Sequence, residues 1–189
     1  MIFVDLGAFD GRSSRHFESF MQPQLVTKCY MFEPNASITV KPPRCSSELI
    51  RALAYRRDGI MPIHLDNMNG LGSSIFSDKQ TGDLSEQGVL VDCIDLSRWL
   101  YAIDTHGTGG PVHIKMNVEG AEYPIIEHLE YAGIPDYVEA LYISWHHTKI
   151  PCITQRRHDE CINKLYSCGF HNKTNRGVFP TFDEWNRTK

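Results

Sequence analysis

The sequence lacks the features that mark a membrane or nucleic-acid partner. No apolar run reaches the ~20 residues that a membrane-spanning helix requires. The N-terminal residues show no charged segment followed by a long apolar one, as a secretory signal would. The net charge of −4 provides no broad basic field for phosphates. We therefore expect a cytoplasmic protein in a reducing environment, with no membrane span and no nucleic-acid partner.

Closely spaced cysteine pairs are missing too. None of the six cysteines forms a C-x-x-C pair, and Cys29 and Cys93 lie within apolar, strand-like runs. This pattern argues against a zinc site or a disulfide framework and favours reduced thiols. The 189 residues, 41% of them hydrophobic, suit one domain over 1–189. Because the first predicted strand begins at residue 2, that domain is either a minimal core or part of a longer polypeptide.

Runs of β-forming residues alternate with helical patterns along the chain. The predicted strands cover 2–6, 28–32, 49–55, 61–65, 89–94, 112–116 and 140–143. The predicted helices cover 12–21, a short stretch from 36, a segment from 95 or 97 to about 103, a segment ending at 133, and roughly 153–168. Residues 66–88 are predicted to form an irregular loop of the length that lids and binding loops have. An antiparallel hairpin over roughly 169–180 is predicted to complete the sheet.

This alternation predicts an α/β fold of the Rossmann-like class, with a central, mostly parallel sheet and helices on both faces. Such sheets bind ligands at the carboxyl ends of their strands. Small or polar residues stand at several of those predicted ends: Asp5, Gly7, Glu33, Ala54, Asn117, Glu119, His146 and His147. We therefore predict a ligand crevice among them.

The first turn, D-L-G-A-F-D-G over residues 5–11, is typical of a nucleotide-like ligand site but not of a phosphate site. Phe9 stands where a dinucleotide-binding turn has its middle glycine, and Arg12 stands where a Walker loop has lysine. S-adenosylmethionine carries no phosphate and fits this pattern better. Asp5 is predicted to face its cationic methionine end, directly or through water, and Glu33 to accept hydrogen bonds from both ribose hydroxyls. The alternative for each acid is that it only caps a strand.

Five segments, in order along the chain, resemble the FkbM-like family: VDLGAFDG, FEPNAS, GLGSSIF, VDCIDL and IKMNVEGAEY. The resemblance covers residues 3 to about 147 and implies a class I S-adenosylmethionine-dependent O-methyltransferase acting on hydroxyls of sugars, glycolipids and polyketide-type metabolites. It implies a sugar or glycan acceptor, such as a deoxyhexose, and glycosyltransferases fused to the chain or acting with it. The cofactor-binding residues that it implies are Asp5, Gly7, Ala8, Gly11, Glu33, Asn35, Ala54, Asn117 and Glu119.

Two positions depart from the family pattern, and both remove a carboxylate near the expected transfer site. Asn117 stands where the family commonly has Asp, and Ser144 where it commonly has Glu. His146 is the predicted base that removes the acceptor proton, because imidazole titrates near neutral pH. His147 is its rival, since neighbouring strand residues point in opposite directions. A purely structural role is the alternative for each histidine.

A lysine and a candidate metal site accompany these residues. Lys115 lies in an apolar run, and a buried unpaired lysine is costly, so it is predicted to pair with Glu119 or Glu122 or to reach into the site. Asn117, Glu119 and His146 are candidate ligands for Mg²⁺ or Mn²⁺. Dependence on a divalent metal therefore stays open. Asn117 and Lys115 are further candidate catalytic residues.

Substrate contacts are predicted from the long loop and from one strand end. Ser73 and Ser74 carry hydroxyls that can bind the acceptor or the cofactor, and Trp145 can stack on a sugar face. The alternatives are a loop without ligand contact and a tryptophan that only packs.

Several other functions stay open from the residues alone. The missing carboxylates at positions 117 and 144 leave a catalytically silent, cofactor-binding module of a larger protein, and a non-sugar small-molecule hydroxyl is another acceptor. Phe9 disfavours a nicotinamide oxidoreductase. Nucleic-acid methylation is disfavoured because the chain has neither an Asp/Asn-Pro-Pro-aromatic signature nor a basic face.

Overall fold

The computed structural model describes residues 1–21, 24–103, 110–170 and 177–179. Its strands are β1 (Ile2–Leu6), β2 (Lys28–Phe32), β3 (Ser46–Ile50), β4 (Leu53–Tyr55), β5 (Gly59–Ile63), β6 (Val89–Asp95), β7 (Val112–Met116), β8 (Val138–Ile143) and β9 (Gly177–Phe179). Its helices are α1 (Arg12–Phe20), α2 (Leu96–Ala102), α3 (Glu122–Ala132) and α4 (Gln155–Ser167), with a 3₁₀ turn at His147–Lys149.

The main sheet has six strands in the order β3-β2-β1-β7-β8-β9, and every neighbouring pair is parallel. Its central strands are fully buried, with all five residues of both β1 and β7 inside the domain. Strands buried on both faces form when helices cover the two sides of a parallel sheet. The register aligns Leu6 with Phe32 and Met116, so three central strands end at one edge. The predicted α/β fold with a mostly parallel sheet is confirmed.

Helices cover both faces of this sheet, as predicted. On one face, Phe17 of α1 stacks on Phe3 of β1 with ring centroids 3.9 Å apart. On the other face, Val4 of β1 belongs to a core that includes Leu100 of α2 and Ile126 of α3. Alternate residues of β1 thus belong to different cores, as the period of a strand requires.

The run predicted as one strand over 49–55 is two strands in two sheets. β3 ends the main sheet, whereas β4 joins a three-stranded sheet of order β4-β6-β5 in which β5 and β6 are antiparallel. Arg51, between them, leaves the ladder and donates hydrogen bonds to the carbonyls of Asn35 (2.9 Å) and Ile38 (2.8 Å). The β-forming character of the run is continuous, so it does not reveal this change of sheet.

The helix predicted from residue 36 is also wrong. Asn35 Oδ1 accepts a hydrogen bond from the Ser37 N–H (3.0 Å), and the Ile38 N–H donates to Asn35 O (3.2 Å). An asparagine side chain that binds the backbone two residues on forms a turn that competes with a helix. The segment is therefore a tight turn directly after β2.

The remaining predictions concern the long loop, the hairpin and the membrane. Residues 66–88 are irregular, as predicted, apart from isolated bridges from Ser74 to His64 and from Leu84 to Asp66. The hairpin over 169–180 stays a prediction, because 171–176 and 180 lie outside the described residues. The described part of this segment, β9, pairs in parallel with β8. Within the described ranges, no helix has both the length and the apolar character needed to cross a membrane.

Candidate functional site

A cavity of about 530 Å³ lies at the carboxyl ends of β1, β2, β7 and β8 and beside the first residues of β4. This is the edge where the sequence predicts a crevice, and the volume is within the range of small-molecule sites. Nine predicted site residues line the cavity: Gly7, Ala8, Glu33, Ala54, Ser73, Ser74, Lys115, Asn117 and Glu119. Six others do not line it: Asp5, Gly11, Asn35, Trp145, His146 and His147.

The turn after β1 forms one wall and depends on close backbone packing. Gly7 has a φ of 74°, and a Cβ placed there would lie 2.2 Å from the backbone oxygen of Asn117. Phe9, with a φ of 49°, is in the left-handed region that non-glycine residues seldom adopt. Gly11 instead allows the backbone oxygen of Lys41 to approach, since a Cβ would lie 2.1 Å from it. Gly11 thus has a packing role and does not line the cavity, so its implied cofactor contact stays a prediction.

Glu33 presents a buried carboxylate to the cavity from the end of β2. Its side chain is held by two backbone groups, since Oε2 accepts from the Phe9 N–H (2.9 Å) and Oε1 from the Asn35 N–H (2.9 Å). Burial raises the pKa of Glu33, and these two hydrogen bonds oppose the rise. Each oxygen keeps a second lone pair. Glu33 can therefore accept two further hydrogen bonds from a ligand in fixed positions.

Asn35 contributes to the site through its backbone. Its side-chain oxygen is taken by the Ser37 N–H (3.0 Å) and hydroxyl (2.7 Å), which places it in the turn beside the cavity. Asn35 does not line the cavity, and its implied cofactor contact stays a prediction. Asn35 acts by fixing one oxygen of Glu33.

Asp5 and Lys115 form a buried pair, and neither has the partner predicted for it. Asp5 is fully buried, accepts a hydrogen bond from Ser14 Oγ (2.6 Å) and has Lys115 Nζ at 2.9 Å. Asp5 therefore does not face a cationic ligand end. Lys115 also donates to Gly7 O (2.8 Å) instead of pairing with Glu119 or Glu122. Its side chain does reach the cavity wall.

His146 does not have the environment of a catalytic base. Its ring is buried between two acids, with Nε2 at 3.2 Å from Glu119 Oε1 and Nδ1 at 3.0 Å from Glu122 Oε1. Burial alone would lower the pKa of His146, but the hydrogen bonds to both carboxylates outweigh it and raise the pKa to about 9. The imidazole is therefore protonated at neutral pH and has no free lone pair. The prediction of His146 as the base conflicts with this geometry.

Glu119 connects the cavity to the long loop. Burial would raise its pKa, but His146 and Lys79 lower it to about 2, and Lys79 Nζ lies 3.0 Å from Oε2. The backbone oxygen of Glu119 accepts a hydrogen bond from Ser74 Oγ (2.6 Å). Glu119 is also one of two non-glycine residues with positive φ in the described ranges, at 49°. The loop is thus fixed to the turn after β7 by one ion pair and one hydrogen bond.

Lys79 is a buried residue bound to Glu119 of the site that the sequence does not single out. Its side chain is 1% exposed, although a lysine in a polar loop normally lies in solvent. The available signal was the apolar pair Ile75-Phe76 in an otherwise polar stretch. Such a pair indicates that the loop packs on the domain, and Phe76 lies against Gly120, where a Cβ would come within 2.8 Å of its ring.

Trp145 and His147 pack against Tyr123 and His158 and do not line the cavity. The ring of His147 stacks on His158 with centroids 3.9 Å apart, and Trp145 meets His158 edge-on at 4.8 Å. The His147 N–H donates to the Tyr123 hydroxyl (3.2 Å). This cluster corresponds to the packing alternative for both residues. It places neither the tryptophan as a sugar platform nor His147 as a base at the cavity.

Ser73 has the internal role expected of a loop serine. Its hydroxyl donates to Gly70 O (2.9 Å) and accepts from the Asp66 N–H (3.0 Å), so it shapes the loop that lines the cavity. Further lining residues that sequence reasoning did not select are Arg12, Ser13, His16, Leu71, Ile75 and Ser144. Three of these belong to α1, whose first turn therefore faces the cavity.

The candidate metal ligands are not arranged for a divalent cation. Both ring nitrogens of His146 face carboxylates, and the Glu119 carboxylate is shared by His146 and Lys79. A third positive charge on this carboxylate would repel those two. No group of three or more His, Cys, Asp or Glu side chains suited to a metal occurs in the described ranges.

The cavity offers a recognisable set of chemical contacts. It has a held carboxylate, a glycine turn with close backbone approach, a buried ammonium and apolar walls from Leu53, Ala54 and Ile63. Such a set suits a polar ligand with neighbouring hydroxyls and an apolar ring. Comparison of the chain with models of protein families, with curated proteins and with solved structures finds no match.

Proposed function

We propose that this protein is a class I, S-adenosylmethionine-dependent O-methyltransferase whose acceptor is a hydroxyl of a sugar in a glycan or glycoconjugate. One observation carries the cofactor assignment: the Glu33 carboxylate at the end of β2 lies in the same cavity as the glycine turn after β1. Both of its oxygens are held by backbone N–H groups and can accept two adjacent hydroxyls. That is the arrangement with which nucleotide folds bind a ribose.

The residues that would hold the cofactor come from several strand ends. Glu33 would accept from the ribose, the backbone at Gly7 and Ala8 would lie against the ligand, and Leu53 with Ala54 would cover the adenine. When bound, the cofactor supplies a methyl group on a positively charged sulfur. The protein contributes alignment of the acceptor oxygen and exclusion of water, which account for much of the rate in such displacements.

The acceptor part of the proposal depends on the sequence resemblance to the FkbM-like family. The five segments that carry it are spread over residues 3 to 147, which suits a shared fold and cofactor more than a shared acceptor. A sugar hydroxyl, with glycosyltransferases as fused or accompanying enzymes, is the acceptor chemistry that the resemblance implies. A non-sugar small-molecule hydroxyl is the nearest alternative.

A catalytically silent, cofactor-binding module is the second candidate, and His146 is the observation that favours it. With the imidazole protonated and enclosed by Glu119 and Glu122, the chain has lost the base that sequence reasoning assigned. The low pKa of Glu119 makes this carboxylate a weak proton acceptor as well. Methyl transfer to any acceptor would eliminate this candidate.

Binding of S-adenosylhomocysteine, measured by calorimetry, tests the cofactor assignment. We expect Glu33→Ala to weaken binding by about 10- to 100-fold, as expected for lost hydrogen bonds to a charged group. Glu160→Ala is the matched control, since Glu160 lies in an exposed pair with Arg156 on α4. Equal affinities for the wild type and Glu33→Ala would remove Glu33 from the ribose role. A screen of hexose and deoxyhexose glycosides for the mass of one added methyl group then tests the acceptor.

A further inference from the structure

Lys115 is the buried cation of the cavity wall. Its side chain is 7% exposed, whereas Arg12, another lining cation, has an 84% exposed side chain. An ammonium group has three N–H donors and no acceptor. Gly7 O at 2.8 Å and Asp5 Oδ1 at 2.9 Å account for two of these donors at most. Among the described residues no third acceptor contacts Nζ, so one N–H is available to a ligand.

Leaving this donor unused would be costly in a buried position. A buried donor without an acceptor loses its hydration and gains nothing in return. The cavity is the direction from which an acceptor can come, because Lys115 lines it together with Asn117 and Ser144. Water can serve in the free protein, and a ligand oxygen can replace it.

The N-terminus of α1 adds a second source of positive potential at the same wall. Arg12, Ser13 and His16 of this helix line the cavity, and its first turn contains no acidic residue. The first N–H groups of a helix have no partner within the helix, and the helix dipole places partial positive charge there. Asp10 binds the Arg12 N–H (2.8 Å), which leaves the next N–H groups of the turn for other acceptors.

The charge of this subsite is opposite to the one expected from sequence. The sequence predicts that Asp5 attracts the cationic methionine end, but Asp5 is fully buried, does not line the cavity and binds Lys115 and Ser14. Of the two residues, Lys115 lines the cavity and Asp5 does not. A cationic donor beside a helix N-terminus selects a carboxylate, and the amino-acid end of S-adenosylmethionine carries one.

We propose that Lys115, together with the N-terminus of α1, binds the carboxylate of the amino-acid end of S-adenosylmethionine. This inference rests on the proposed function, because it assigns one subsite of the proposed cofactor cavity. Asp5 is then a positioning residue, because its ion pair fixes the position of the Lys115 ammonium. The hydrogen bond to Gly7 O holds the same ammonium beside the glycine turn. Glu33 on β2 would bind the ribose, and Lys115 on β7 would bind the amino-acid carboxylate of the same ligand.

The experiment compares two ligands that differ only in the carboxylate, S-adenosylhomocysteine and its decarboxylated analogue. Calorimetric affinities are measured for the wild type and for the double variant Lys115→Met/Asp5→Asn, which removes both buried charges together and keeps an acceptor for Ser14. Lys164→Met, in a surface pair with Glu130, is the control for the loss of a lysine. Thermal unfolding of each variant confirms that it is folded.

We expect the wild type and Lys164→Met to bind S-adenosylhomocysteine about 10- to 100-fold more tightly than the decarboxylated analogue, the size of a charge-assisted hydrogen bond. In the double variant this preference should fall to the smaller part that the N-terminus of α1 provides, through loss of affinity for the carboxylate-bearing ligand alone. A preserved preference, or an equal loss for both ligands, would overturn the assignment of Lys115 while leaving the cofactor site in place. A wild type that binds neither ligand would overturn the proposed function itself.

Discussion

Two buried lysines beside the cavity have the same kinds of partner, a glycine carbonyl and a carboxylate, but the fold supplies those partners differently. Lys115 donates to Gly7 O and pairs with Asp5, its neighbour in the register of β1 and β7. The regular hydrogen bonding of two central strands fixes both members of this pair. The backbone positions of the two residues are therefore fixed by the sheet itself.

Lys79 belongs instead to the irregular loop 66–88. It donates to Gly72 O within the loop (2.6 Å) and pairs with Glu119, whose other oxygen faces His146. Glu119 therefore has a second cation, whereas the described contacts of Asp5 include Lys115 alone as a cation. It follows that removing Lys115 leaves a buried charge unmatched, and that removing Lys79 chiefly releases a loop.

The largest effect is expected for Lys115→Met. Breaking a buried ion pair by removing one partner typically costs about 3 to 5 kcal/mol of unfolding free energy, because the other charge stays buried. Asp5 is fully buried, so this range applies. Denaturant unfolding measures the loss, and the double variant Lys115→Met/Asp5→Asn should recover much of it. Additive costs of the two single changes would show that the pair is not coupled.

Lys79→Met should cost less, about 1 to 3 kcal/mol, because Glu119 keeps His146 as a partner. Its distinctive result is local: hydrogen exchange should rise at the amides of Ser74 and Gln80, which bind His64 O and Lys149 O, before it rises in the sheet. Lys164→Met serves as the surface control and should change stability by no more than about 1 kcal/mol. Faster exchange across the whole sheet would contradict the division between loop and sheet.

The contrast between these two pairs also marks what the sequence could predict. The strand ends were predictable, because mostly apolar runs of β-forming residues stop at Asp5, Glu33 and Asn117. The partner of Lys115 was not, since Asp5 lies 110 positions away and becomes its neighbour only through the strand order β2-β1-β7. Pattern along one strand carries no information about which strand lies beside it.

The burial of Lys79 in the loop 66–88 could not be predicted from the sequence. Lys79 lies in a segment without helical or strand periodicity, so no pattern assigned its side chain to the interior. His146 was predicted to be functional from its place after a strand, but its two acidic partners come from a separate turn and from α3. A histidine enclosed by two carboxylates behaves as a cation, and this pairing is visible only in the fold.

The pH dependence of the stability of His146→Gln tests whether His146 is the second cation beside Glu119. The pKa of His146 is raised from 6.5 to about 9 in the folded protein, so its stabilising contribution is fully present below pH 6.5 and is lost as the pH rises through 9. We expect the unfolding free energy of the wild type to exceed that of the variant by up to about 3 kcal/mol near pH 6. This difference should vanish near pH 9.5. His113, whose pKa burial lowers to about 4, acts only at lower pH and should not disturb this window. A gap that is constant from pH 6 to pH 9.5 would mean that the ring is neutral in the fold.

The smallest effects are expected from two serines that support the two lysine sites. Ser14 Oγ donates to the charged Asp5 carboxylate and Ser74 Oγ to the neutral backbone oxygen of Glu119, both at 2.6 Å. Hydrogen bonds to charged groups are worth more, so Ser14→Ala should cost about 2 kcal/mol and Ser74→Ala about 1 kcal/mol. Denaturation midpoints at unchanged m-values measure both, with the exposed Ser167→Ala as control. An equal loss of unfolding free energy for Ser74→Ala and Ser14→Ala would contradict this ranking. Ser74 binds a neutral acceptor, so an equal loss would mean that it stabilises more than its own hydrogen bond. The loop would then be as firmly coupled to the fold as the Asp5–Lys115 pair.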